Sequence, residues 1–142
     1  MRATVAGVVL GSAFLAAAAP AAAQSPSGAE GVRAVRPGLV VVRMVERGPY
    51  GMGFDPMRLT AHRGDTLRFV QHGRVPHNVE FRSVPEGVVL GAARVGPFLE
   101  RVGATYDLVL DERFAPGKYF FVCTPHEVLG MAGILRVEEA AK

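Results

Sequence analysis

Near its C-terminal end the chain reads Cys123-Thr124-Pro125-His126-Glu127-Val128-Leu129-Gly130-Met131, and Cys123 is its only cysteine. A thiol, an imidazole and a thioether therefore sit on one short stretch. A soft thiolate, an imidazole and a weak axial thioether make three of the four ligands of a one-electron copper site. The fourth, a second imidazole, is available upstream in Val75-Pro76-His77-Asn78-Val79. A one-electron copper centre needs donors that suit both Cu(I) and Cu(II). Thiolate and thioether favour Cu(I), while imidazole serves either state. A bound metal also keeps a thiol deprotonated and shielded, which accounts for a lone cysteine.

Other chemistries fit less well. Zinc takes thiolate, imidazole and carboxylate but not thioether as a usual ligand. Glu127 could replace Met131, yet it adjoins His126 and would have to fold back tightly. A Cys123–His126 nucleophile pair lacks an Asn or Asp on the same loop to orient the base. Taken singly, Cys123 could be an inert buried thiol, Met131 core filler and His77 an ordinary loop histidine. Their joint spacing favours ligation by His77, Cys123, His126 and Met131. His62 and His72 read as solvated and not as ligands. No catalytic residue is assigned: an enzyme would need an open coordination position, a second metal or a substrate pocket.

Short strands between turns must position these groups. Leu39 to Val45 is apolar and β-branched, Met57 to His62 is a second candidate, and Arg63-Gly64-Asp65 reads as a turn. Leu67 and Phe69 alternate with Thr66, Arg68 and Val70, as on a half-buried strand. Asn78 to Phe81 continues that pattern, and Tyr106, Leu108 and Leu110 alternate further on. After the Ala115-Pro116-Gly117 turn comes Lys118 to Cys123, and Ala132 to Val137 closes the series. The segment from Val88 to Gly103 is compatible with strand, loop or one short helix. Short strands at this spacing predict an all-β, antiparallel Greek-key sandwich. Tyr119, Phe121 and Cys123 share one face, so Cys123 is expected to point inward at the rim of the core.

The first 23 residues stand apart. Ala3 to Ala23 carries no charge, is broken by Pro20, and ends in the small-residue run Ala21-Ala22-Ala23. This predicts a secretory signal peptide over residues 1–23 and a periplasmic protein. Residues 24–37, rich in Ser, Gly, Ala and Pro, read as a flexible leader, and residues 38–142 as one copper-binding domain. The net charge is +3, with cations scattered along the chain, 14 of the 16 being arginine. Such scatter predicts no nucleic-acid stripe. The expected protein is a monomer without stable membrane insertion, meeting redox proteins transiently.

The pattern resembles the cupredoxins, within them the pseudoazurin and plastocyanin-like branch. Gly51-Met52-Gly53-Phe54-Asp55-Pro56, Arg63-Gly64-Asp65-Thr66-Leu67-Arg68-Phe69, His77-Asn78-Val79-Glu80 and Cys123-Thr124-Pro125-His126 with Met131 carry the likeness. Val84-Pro85-Glu86-Gly87 adds a weaker match. The resemblance implies a sandwich of about eight strands with one type 1 copper at one end, held by His77, Cys123, His126 and Met131. It implies that Asn78 ties the two ligand loops together near the thiolate. Pro125 has no N–H to offer the Cys123 sulfur, which favours Cu(I). Electron transfer through the edge of His126, ringed by Pro125, Val128, Leu129 and Met52, is the expected activity. Copper nitrite reductase, nitrous oxide reductase and c-type cytochromes are partners implied by the family. The alternative is a module for copper storage, delivery or sensing.

Overall fold

The computed structural model describes residues 37–48 and 51–140. The expected signal peptide and, Pro37 apart, the leader lie outside the described residues. Eight strands form two four-stranded sheets. One contains β1 (Leu39–Arg47), β2 (Gly51–Asp55), β4 (Thr66–Gln71) and β6 (Thr105–Val109), in the order β2-β1-β4-β6. The other contains β3 (Arg58–His62), β5 (Glu80–Ser83), β7 (Gly117–Val122) and β8 (Ala132–Glu138), in the order β3-β8-β7-β5.

The expected β-sandwich is present, with one refinement to its strand directions. β1 pairs with β4 in parallel, from Leu39 against Thr66 to Met44 against Gln71, and β3 pairs with β8 in parallel. The other pairs are antiparallel. The parallel pairs follow from the chain's route. After the β1–β2 hairpin it crosses to the other sheet for β3 and returns as β4 alongside β1. Such a return needs a long connection, which antiparallel neighbours do without.

The structure settles two segments that the sequence reading left open or unassigned. β2 is a strand although Gly51-Met52-Gly53 carries a turn composition, because its backbone pairs with Arg43–Arg47 of β1. The stretch from Val88 to Gly103 holds no strand. It has one short 3-10 turn, Gly91–Arg94, and isolated bridges at Leu99 to His77 and Val95 to Glu80.

The core is aromatic. Phe54, Phe69, Phe81, Phe114, Tyr119 and Phe121 are fully buried. Phe121 is the hub, with ring centroids 4.9 Å from Phe54 and 5.9 Å from both Phe69 and Phe81. The pairs with Phe54 and Phe69 are edge-to-face and that with Phe81 is tilted; edge-to-face pairs contribute about 0.5–1.5 kcal/mol each beyond their burial. Gly133 lies directly opposite Phe121 on β8, and a Cβ there would fall 2.3 Å from the ring. The missing side chain is thus what admits the Phe121 ring. Asp65 closes the predicted turn at the other end of the sandwich, accepting from the backbone N–H of His62 at 2.8 Å and of Gly38 at 2.6 Å.

Candidate metal centre

Two loops at one end of the sandwich carry the four residues singled out in the sequence. β7 runs out at Val122, and Cys123 follows it with no exposed surface, inward as strand parity predicts. Thr124–Leu129 then form a 3-10 turn with Pro125 in its first turn, where a missing N–H costs no hydrogen bond. Gly130 ends it at φ 81°, a left-handed conformation that glycine adopts without strain. The reversal is held by His126 N–H to Cys123 C=O at 3.0 Å and Met131 N–H to His126 C=O at 3.1 Å. Cys123 N–H donates back to Met131 C=O at 3.0 Å. His126 and Met131 are thereby wrapped around Cys123, and the Met131 side chain is fully buried.

His77 arrives from the other loop, 72–77, which leaves β4. Its backbone exchanges hydrogen bonds with Leu99, at 3.3 Å and 2.7 Å. Two residues that the sequence reading did not single out brace this loop. Gln71 is fully buried, its amide donating to the carbonyls of Leu99 (3.0 Å) and Val75 and accepting from Gly73 N–H at 3.2 Å. The signal for Gln71 was present: it follows Leu67 and Phe69 on the inward face of β4. Glu46, near the end of β1, accepts from the backbone N–H groups of Arg74 and Val75. Nothing in the sequence marks Glu46.

The two loops bring three donor atoms into a triangle. His77 Nδ1 is 3.0 Å from His126 Nδ1, while Cys123 Sγ is 3.3 Å from His126 Nδ1 and 3.5 Å from His77 Nδ1. A tetrahedral first-row ion with zinc-like bond lengths would separate two nitrogens by about 3.3 Å and nitrogen from sulfur by about 3.5 Å. The triangle fits such an ion without rearrangement. Glu127 is turned away: its carboxylate takes two hydrogen bonds from Arg82, at 2.8 Å and 3.1 Å. This removes the carboxylate that a zinc reading needed. His62 is part-exposed beside Asp65 and Glu138, and His72 is exposed.

The electrostatics suit a cation that arrives on neutral donors. Burial pushes the Cys123 thiol up, opposed by the backbone N–H groups of Asn78 and His126. Those two groups are donors to the sulfur region that Pro125 does not supply. Burial also pushes His77 down, with His126 acting in the same sense and the Glu46 carboxylate against it. Metal binding to such a set displaces a proton from the thiol. Beside the triangle, Asn78 links to Thr124, Thr124 to Glu80 at 3.1 Å, and Glu80 to Arg82 at 2.7 Å.

Comparison with known proteins agrees with this chemistry. The chain is 37% identical over 89 residues to plastocyanin of Prochlorothrix hollandica, covering 63% of this chain and 66% of that protein. It is 36% identical to the chloroplastic plastocyanin of Chlamydomonas reinhardtii, over 60% of this chain and 58% of that one. The matches thus span less than two thirds of these relatives' length. Among solved structures, oxidized plastocyanin from the fern Dryopteris crassirhizoma aligns with a TM-score of 0.55 at 26% identity, over 70% of this chain and 100% of that one. A reduced amicyanin variant aligns with a TM-score of 0.53 at 30% identity, over 70% and 82%. The donor set and these relatives agree on a single copper ion as the cofactor. Residues 41–138, more than half of the chain, match the family model for copper binding proteins of the plastocyanin/azurin type, and the chain belongs to that family.

Proposed function

We propose that this protein carries single electrons between redox proteins through one type 1 copper ion held by His77, Cys123, His126 and Met131. The observation that carries the reading is the triangle of two imidazole nitrogens and a buried thiol beside a buried methionine. Bound copper supplies a reversible one-electron couple there. The chain's own residues do the rest. Gln71, Glu46 and Asn78 hold the ligand loops in place, so the donors need move little between redox states. Of the three triangle donors only His126 reaches the surface, and on its turn Val128 is 91% and Leu129 48% exposed. β2, with the half-buried Met52, packs against the same turn. An apolar patch around a ligand edge suits brief docking, since weak electron-transfer encounters use small interfaces.

Residues 38–142 form the copper domain in this reading. The apolar run 3–23 supports export to the periplasm, and no helix among the described residues is long and apolar enough to cross a membrane. Copper nitrite reductase, nitrous oxide reductase and c-type cytochromes are the partner classes to assay. The role is that of a carrier and not of an enzyme.

Copper addition followed by redox titration tests the proposal. A carrier develops an intense visible charge-transfer band, bleaches reversibly and keeps its copper in both states. Release of copper on reduction would identify a delivery protein instead. Cys123→Ser is expected to abolish the band, and an undiminished band would reject the ligand set.

A further inference from the structure

The triangle leaves one atom unexplained. His77 presents Nδ1 to the other donors, so in the metal-bound protein its proton must reside on Nε2. That nitrogen is buried and, among the described residues, is the one enclosed side-chain nitrogen or oxygen without a hydrogen-bond partner. A buried donor left unpaired costs about 1–3 kcal/mol. Metal-bound imidazoles almost always give their second N–H to a carboxylate, carbonyl or water.

Gly73 shows what lies opposite. A methyl group on this residue would stand 3.1 Å from His77 Nε2 and 2.9 Å from Glu46 Oε1. The ring nitrogen and the carboxylate therefore border the same small notch. The backbone at Gly73 is outside the left-handed region, so conformation does not demand glycine there. What the missing side chain provides is room beside both groups, which a methyl would crowd. Glu46 is already anchored against the loop by the N–H groups of Arg74 and Val75. A carboxylate has about four acceptor sites, so those bonds leave capacity for a third donor.

We propose that Glu46 is the acceptor for the His77 Nε2–H in the copper-loaded protein, completing a carboxylate–imidazole–metal line across the Gly73 notch. This rests on the reading of His77 as a copper ligand. Glu46 is a positioning residue that acts through His77. Its negative charge makes the imidazole a better donor and favours Cu(II) over Cu(I).

The test uses the copper-loaded protein with Glu46→Gln, which keeps an oxygen for the two backbone N–H groups but removes the charge. The Cu(I)-to-Cu(II) affinity ratio is expected to rise about tenfold, a potential increase of about 59 mV for a one-electron couple. In the diamagnetic Cu(I) form, the His77 Nε2–H resonance should move upfield and exchange faster with water. Gly73→Ala places a methyl against both groups and should shift both readouts in the same direction. Glu112→Gln, a surface charge change away from the notch, should shift neither. An unmoved Nε2–H resonance and potential in both Glu46→Gln and Gly73→Ala, with the visible band intact, would overturn the proposal. Absence of that band from the unmodified protein would reject the copper reading, and this inference with it.

Discussion

Asn78 and Thr124 exchange two hydrogen bonds across the gap between the ligand loops. The Asn78 amide nitrogen donates to Thr124 Oγ1 at 3.0 Å, and Thr124 N–H donates to Asn78 Oδ1 at 2.9 Å. Only a side chain with both a donor and an acceptor closes this pair. Each partner adjoins a proposed ligand, His77 on one side and Cys123 on the other. Asn78→Ala should therefore loosen both loops at once, losing about 1 kcal/mol per bond. Copper affinity is expected to fall 10- to 100-fold, as for other residues that orient ligands. A competition titration followed by visible absorbance measures it, and an unchanged affinity would show that the pair does not hold the site.

Met131 is buried and tied by its backbone to both Cys123 and His126. Met131→Leu conserves volume, so the fold should lose less than about 1.5 kcal/mol. Copper is expected to stay bound while the potential rises, because an axial electron donor is gone. Cyclic voltammetry reads the change. A potential equal to that of the unmodified protein would place the sulfur outside the coordination shell.

Leu129 is 48% exposed on the same turn as His126. Leu129→Glu puts a charge into the apolar patch. The second-order rate of electron exchange with a c-type cytochrome is expected to fall about tenfold, equivalent to ~1.4 kcal/mol of encounter stability. The visible band should be unchanged. An unaltered rate would move the docking surface elsewhere.

The buried thiol gives the copper-free protein a pH signature. Burial raises the Cys123 thiol above its unfolded value, so the folded state keeps its proton longer than the unfolded one. That contribution to stability is complete below the ordinary thiol range and is lost as pH rises through the folded value. The copper-free protein should lose stability from neutral to strongly alkaline pH, by urea unfolding. Cys123→Ala should flatten the decline. An equal decline in that variant would assign it to other groups.

Much of this was legible from residue types and parity, and the misses have physical causes. Cys123 falls inward because Tyr119 and Phe121 do, and a strand has a period of two. His77 stands out as a candidate ligand by its chemistry alone, since it lies in a loop bridge to Leu99 and not in β5. β2 was hidden because Gly51 and Gly53 have little strand preference of their own, and pairing with β1 overrides it. The parallel pairs depend on which sheet the chain enters after each turn, and no local pattern encodes that. Gln71 could have been read as a polar residue on a core face. Glu46 could not, since its partners lie 28 and 29 residues away and are backbone groups.

The spacing of the triangle has a consequence for the chain as a polymer. His77 and Cys123 are 46 residues apart, and they leave different sheets of the sandwich. A lone cysteine denies this molecule an internal disulfide. An ion bound to both residues fastens a loop of that size all the same. Such an ion binds the folded chain and leaves the unfolded one, so it stabilises the fold by mass action, by about 4 kcal/mol at a thousandfold excess over its dissociation constant. With the proposed ligand set the metal is in that sense also the molecule's rivet, and copper-loaded protein should outlast copper-free protein on heating.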